Sequence, residues 1–412
     1  MYVNETYLPP GEAELAGLIA QAASQKLPLE ISGNGTKRVI GRPMQVATRL
    51  ATSEMRGITL YEPTELVISA LSGTPLADIE ALLETNGQEL PFEPHHLERL
   101  SPVEARGPVT IGGAIAANCS GPRRILRGSA RDHLIGIRAV NGLGEIIKSG
   151  GRVMKNVTGY DLPKLLCGSF GTLAVMTDIT VKVLPRPEKA RTVLALGLDD
   201  AQARDAMAAA LNSPHEVSGA AHLPHAVAQR SGVGYVRGAG HAVTAIRVEG
   251  FGPSVEARCK SLRDLLAPFG PTEELHSQNT AALWGEIRDV AALLPDGALD
   301  LWRLSLPPAS GAGVMASLAF GDGFDTAHHF YDWGGGLLWL AVPRERQAET
   351  AAAIRAAVAP THGHATLIRG SMEAREAALA ALSLATAALE RQLKAAFDPH
   401  GILNPGRIDG AA

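Results

Sequence analysis

Three glycine-rich turns, each set against a strand-like run, fall between residues 31 and 173 of this 412-residue chain. The first is Ile31-Ser32-Gly33-Asn34-Gly35-Thr36-Lys37, the second Pro108-Val109-Thr110-Ile111-Gly112-Gly113-Ala114-Ile115-Ala116-Ala117-Asn118-Cys119-Ser120-Gly121, the third Gly168-Ser169-Phe170-Gly171-Thr172-Leu173. Glycine accepts positive φ and leaves room for another group to approach the backbone. Successive exposed N–H groups make a nest for phosphate oxygens. Each turn alone is a weak signal that a plain surface turn explains; what is informative is three of them, each next to a strand, within the first half of the chain. The Gly-Lys-Ser/Thr spacing of a phosphate-binding loop is missing, as is a Gly-x-Gly-x-x-Gly fingerprint between strand and helix.

The length suggests two or three domains, and 46% hydrophobic with 19% charged residues is the balance of a folded chain. A net charge of -4 without a basic stripe gives no reason to expect nucleic acid. Helical spacing covers residues 11–25, and strands are expected at 27–31, 46–50 and 66–71. A helix over 75–85 would be capped by Thr74 and closed by Asn86-Gly87. Residues 101–130 read as one long functional loop. Residues 134–140 and 145–148 flank the turn Asn141-Gly142-Leu143-Gly144 as a hairpin, and 173–184 is a long strand closed by Pro185-Arg186-Pro187. From there strands at 192–198, 242–248, 301–306 and 337–342 alternate with helices at 200–211, 254–266, 309–320 and 344–358. The pattern implies an α+β sandwich, a sheet covered by helices. One helix is expected over 372–397, and no internal repeat is visible. The boundaries are 1–187, 188–370 and a returning segment 371–412.

Arg123, Arg124, Arg127 and Arg131 lie within nine residues and could neutralise a pyrophosphate or grip a carboxylate. The alternative is a solvated basic loop. The three cysteines, Cys119, Cys167 and Cys259, have neither disulfide nor cluster-ligand spacing. The expected setting is the cytoplasm, with membrane association only through partners.

Taken in order, these motifs resemble the FAD-binding domain shared by vanillyl-alcohol oxidase, D-lactate dehydrogenase and the MurB reductase. More closely they resemble the FAD-binding subunits of bacterial glycolate oxidases. The likeness rests on Pro63-Thr64-Glu65-Leu66-Val67, Leu90-Pro91-Phe92-Glu93-Pro94, Thr110-Ile111-Gly112-Gly113, Ser120-Gly121-Pro122-Arg123-Arg124 and Gly128-Ser129-Ala130-Arg131-Asp132. It continues through Val153-Met154-Lys155-Asn156-Val157-Thr158-Gly159-Tyr160-Asp161, the 168–173 turn, Asp332-Trp333-Gly334-Gly335 and Asn404-Pro405-Gly406-Arg407. The resemblance implies non-covalent FAD in a two-part domain of the p-cresol methylhydroxylase (PCMH) type. It implies Ser32, Gly33, Asn34, Gly35, Thr36 and Lys37 around the pyrophosphate, and Thr110, Ile111, Gly112 and Gly113 along the pyrophosphate and ribityl chain. Asn118, Ser120, Gly121, Gly128 and Asp132 would lie near the flavin end. Gly168, Gly171, Thr172 and the strand to Ile179 would hold ribose and adenine, and Asn404 would return toward the flavin.

Relatives that oxidise D-2-hydroxy acids carry His-x-Gly-Asp-Gly-Asn-x-His, whose histidines help hold a metal and substrate. The comparable stretch here is His362-Gly363-His364-Ala365-Thr366-Leu367. It reads as an ordinary strand edge or, less completely, as a metal pair; His328 and His329, facing opposite ways, carry no role, and His95-His96 offers a covalent flavin link in some relatives. The resemblance therefore implies a relay subunit beside a sister flavin subunit and an iron–sulfur subunit. Its rivals are a self-sufficient oxidase or dehydrogenase of a small 2-hydroxy acid, with Tyr160 or His364 near the flavin, and a non-catalytic assembly scaffold.

Overall fold

The computed structural model describes residues 5–100, 105, 107–151, 159–295, 297–319, 327–378 and 384–408. They divide into two compact units: Met1–Ser120, Gly128–Arg186 and Leu379–Ala412 form the first, Gly121–Arg127 and Pro187–Ala378 the second.

In the first unit the helix Glu12–Gln25 buries Leu15, Ile19, Ala22 and Ala23 at helical spacing and stops at Lys26, whose φ is 53°. It packs with a parallel three-stranded sheet in which Thr48–Ala51 lies between Glu5–Tyr7 and Leu29–Ser32. A five-stranded antiparallel sheet follows the spatial order Ile58–Glu62, Val67–Leu71, Ala174–Lys182, Leu134–Asn141, Ile146–Gly150. Ala174–Lys182 is buried on both faces, which explains its uninterrupted apolar and β-branched run. The hairpin at Asn141 forms as expected; its side-chain Oδ1 accepts from Leu143 N and Glu145 N.

Two local expectations fail, and a third is only partly within the described residues. Thr74 does not cap the helix Leu76–Thr85; its Oγ1 bonds Gly57 instead. The long loop contains the helices Ile111–Ala116, Arg124–Arg127 and Ala130–His133. Thr110 Oγ1 starts the first of these by accepting from Gly113 N, while Ile111, Ala114 and Ile115 turn inward. The last helix is seen as Met372–Ala377 and Leu384–Phe397, with residues 379–383 outside the described set.

The second unit holds one eight-stranded antiparallel sheet, covered by helices that include Asp200–Leu211, Gly252–Leu266, Gly311–Ala319 and Gln347–Val358. Its spatial order is Thr272–His276, Lys189–Leu196, Val243–Gly250, Val217–Leu223, His328–Asp332, Leu337–Pro343, Leu299–Ser305, His364–Arg369. Each half runs strand, helix, two strands, helix, strand in sequence, with the same internal order, apart from the short helices His225–Ala228 and Gly234–Arg237 between the two middle strands of the first half. The topology thus repeats where the sequence does not. The halves meet through a single ladder pair, His222 opposite Tyr331.

Candidate functional site

The first unit contains a cleft of about 670 Å³. One wall is the end of Leu29–Ser32 with the following turn through Arg38, and Thr52. The other is Ser72, the Thr110–Ala117 segment and Phe170–Met176, with Arg407 contributed from the C-terminal loop. Glycines line it where backbone comes close. A Cβ at Gly33 would sit 2.6 Å from Thr110 Oγ1, and one at Gly112 would sit 2.6 Å from the Ser72 carbonyl oxygen. Gly35 and Gly171 hold φ of 81° and 71°, which side chains rarely adopt.

The electrostatics favour an anion. Lys37 is buried, and among the described residues its ammonium has one hydrogen bond, a long 3.4 Å contact to Thr36 Oγ1. Burial pushes this ammonium well below the ordinary lysine range; Cys119 and Glu98 oppose that shift, and Arg407 adds to it. Arg38 is committed elsewhere: it forks onto the buried carboxylate of Glu30, which Arg49 also meets at 3.2 Å. Ser32 Oγ and Ser72 Oγ, both on the cleft, are buried without a hydrogen-bond partner among the described residues, an arrangement that favours a missing acceptor.

Of the residues expected to hold a cofactor, the structure brings together Ser32, Gly33, Asn34, Gly35, Thr36, Lys37, Thr110, Gly112, Gly113 and Gly171. Asn34 also ties the walls, donating to Pro108 O at 2.8 Å. Ile111 turns into the core behind the cleft, as does Ile179. Asn118, Ser120, Gly128 and Asp132 are not among the cleft lining and lie together in a turn. Asn118 Oδ1 accepts from Arg131 N, Ser120 Oγ accepts from Ala130 N, and Asp132 accepts from both Ser129 N and Ser129 Oγ at 2.8 Å. Burial raises the Asp132 carboxyl, but these Ser129 bonds hold it below its ordinary value. Gly168 N donates to Ile115 O, and Thr172 Oγ1 donates to Ser169 O. Asn404 is fully buried: its Oδ1 accepts from Ile31 N at 2.7 Å, and its Nδ2 donates to Ile31 O and Phe170 O. It pins one wall to the other without lining the cleft. Gly121 belongs to the second unit, where its carbonyl accepts from Trp333 Nε1 at 3.0 Å.

The arginine cluster is structural in large part. Arg123 forks onto Glu249, whose carboxylate burial raises but Arg247 and Arg123 bring down to about 2. Arg124 lies 4.3 Å from the Trp333 ring, and Arg131 Nε donates to Lys164 O. Tyr160 is 91% exposed; residues 153–158 of its motif lie outside the described set. His364 opens an edge strand, and burial, with Arg303 and Arg124 nearby, lowers it. His329 did acquire a role: with Tyr331 it donates to Asp200 at 2.9 and 2.7 Å. Sequence reading missed Thr52, Ser72 and Met176, which carry no motif, and Phe170 and Arg407, which lie inside the third glycine turn and the Asn404-Pro405-Gly406-Arg407 turn.

Residues 6–150 match the model of an FAD binding domain, and residues 371–408 that of the FAD linked oxidases, C-terminal domain. The chain is 37% identical over 392 residues, 95% of each chain, to glycolate oxidase subunit GlcE of Escherichia coli K12. Glycolate oxidase subunit GlcD of Bacillus subtilis is 32% identical over 189 residues, 46% of this chain and 38% of that one. Among solved structures, p-cresol methylhydroxylase with substrate bound superposes with a TM-score of 0.73 at 15% identity, covering 98% of this chain and 88% of the other. The fold is therefore that of the PCMH-type FAD oxidases, a mixed helix and sheet architecture. The chain belongs to the family of the glycolate oxidase subunit GlcE, a family of FAD-linked oxidoreductases with FAD as cofactor.

Proposed function

We propose that the chain carries one FAD along the cleft of its first unit and serves in a complex that oxidises a small 2-hydroxy acid, glycolate before others. In this reading it relays electrons from a sister flavin subunit toward an iron–sulfur subunit. The observation that carries the reading is the cleft itself: among the described residues, a buried, scarcely bonded lysine and two unpartnered hydroxyls line it together with Gly113. Bound flavin supplies the two-electron chemistry and its stepwise return. The chain's residues do the rest. Lys37 offers charge to a pyrophosphate, and Ser32 and Ser72 offer hydroxyls. Gly113 leaves space for the ligand, while Phe170, Ala174, Val175 and Met176 supply a largely apolar wall that keeps water away.

The 37% identity to GlcE over the whole length supports the subunit role. Among the described residues no three His, Cys, Asp or Glu side chains converge as metal ligands, and no helix is long and apolar enough to cross a membrane. The reading keeps the protein in the cytoplasm, reaching the membrane through its partners. The test is the absorption spectrum of the purified chain, followed by anaerobic glycolate. Oxidised-flavin bands that glycolate leaves unchanged support the relay role. Bleaching would make the chain a self-sufficient dehydrogenase, and a colourless chain that stays colourless after incubation with FAD would leave only the scaffold.

A further inference from the structure

We infer that the Lys37 side chain is the charge this cleft offers a phosphate-bearing ligand, and that loading the cleft with a flavin dinucleotide draws one proton from solvent onto it. The inference rests on FAD occupying this cleft and adds to that reading a linkage between cofactor loading and pH.

The argument starts from geometry. Lys37 ends the first glycine turn, and its ammonium lies in the cleft wall, where a Cβ added at Gly113 would come within 4.0 Å of it. It is buried, and Thr36 Oγ1 at 3.4 Å is its one hydrogen-bond partner among the described residues. Among the described residues, a lysine so placed has lost its water without gaining a carboxylate hydrogen bond, the situation in which the charged form is least favoured. The charged and titratable groups that face it are few. The Cys119 thiol, just beyond the helix Ile111–Ala116, and Glu98, in the short turn Glu98–Leu100, favour its charged form. Arg407, which donates to Lys37 O at 2.8 Å, disfavours it. Arg38, its neighbour, is neutralised by Glu30. Nothing within this set balances a full positive charge at Lys37, whereas a pyrophosphate carries the charge that would. Its arrival therefore favours the protonated form. The proton comes from solvent and the ligand gives none up.

Linkage sets the sign. A group whose proton affinity is raised by a ligand makes that ligand bind more tightly as pH falls, with a slope of at most one proton. FAD affinity should therefore weaken by up to about tenfold per pH unit as pH rises between the values of the empty and the loaded lysine.

The experiment is calorimetric titration of the flavin-stripped full chain with FAD, FMN and riboflavin, in two buffers of different ionisation enthalpy. FAD should bind with uptake of up to one proton, and riboflavin, which has no phosphate, with none. Lys37→Met should weaken FAD at least tenfold, remove the proton uptake and leave riboflavin affinity within about twofold. Circular dichroism of K37M checks its fold, and the wild-type proton count stands even if that variant misfolds. FAD binding to wild type without proton uptake would overturn the inference and leave the flavin reading intact. Failure of wild type to bind FAD at any pH would remove the flavin reading itself, and with it the inference.

Discussion

Adjacent glycines in the second turn have different jobs. A side chain at Gly112 would press on the Ser72 carbonyl at 2.6 Å, backbone that cannot swing away, so this glycine serves packing. Gly113 faces the cleft, with Thr110 Oγ1 at 3.3 Å and Lys37 Nζ at 4.0 Å from its virtual Cβ. Gly112→Ala should lower stability by about 1–3 kcal/mol, read as a drop in melting temperature. Gly113→Val should abolish flavin binding while melting close to wild type; unchanged flavin content in that variant would place the phosphates elsewhere. Asn404→Ala removes three buried hydrogen bonds and should cost about 2–4 kcal/mol by chemical denaturation. At this scale the sequence was most legible in glycines, because their positions follow from backbone geometry alone. It was least legible for Asn118, Ser120 and Asp132. Polar residues beside a glycine turn look the same on paper whether or not they bond within the turn, as these do.

Among elements, the seam of the eight-stranded sheet stands apart. Its two halves share one ladder pair, and the carboxylate of Asp200 gathers His222 from one half with His329 and Tyr331 from the other. Burial alone would raise that carboxyl; nearby His222 and the hydrogen bonds from His329 and Tyr331 overcome it and hold it far below the usual carboxylate range. Burial, with Asp200 beside it, drives the Tyr331 phenol the other way. Asp200→Ala should destabilise the protein by about 2–4 kcal/mol, measured by denaturant titration. Little change would show that side-chain packing, not this carboxylate, joins the halves. The sequence marks helix Asp200–Leu211 clearly, since Asp199 and Gln202 form a capping box before an apolar stripe. The strand Val217–Leu223 was missed because Ser218, Gly219 and His222 break its apolar run, although every residue in it is buried. The helix Ser277–Arg288 begins without a side-chain cap, and it too went unread.

Over the whole molecule the chain does not run through one unit and then the other. Residues 121–127 serve the second unit, and the segment from residue 379 serves the first. A linear reading of composition finds where strand and helix patterns change near residue 187; it cannot find a seven-residue loan. The loan has energetic weight, because Arg123 forks onto Glu249 inside the second unit. Glu249 titrates near 4.3 when unfolded and at about 2 when folded. Its contribution is therefore complete above about pH 4.3 and is lost as pH falls toward 2. Arg123→Met should lower stability at neutral pH by about 3–5 kcal/mol, with the deficit shrinking in acid; an equal deficit at every pH would assign the loss to packing. A fragment of residues 188–370 lacks Arg123 altogether and should melt well below the intact chain.

The late arrival of Asn404 has a consequence for synthesis. The strand Leu29–Ser32 is made early, yet Ile31 takes its side-chain partner from Asn404, and the cleft takes Arg407 from the same loop. On the ribosome, where chains grow from the N-terminus, the cleft stays incomplete until that loop has been made. A nascent or prematurely terminated chain lacks both residues, and with them the partner of Ile31 and one side chain of the cleft lining.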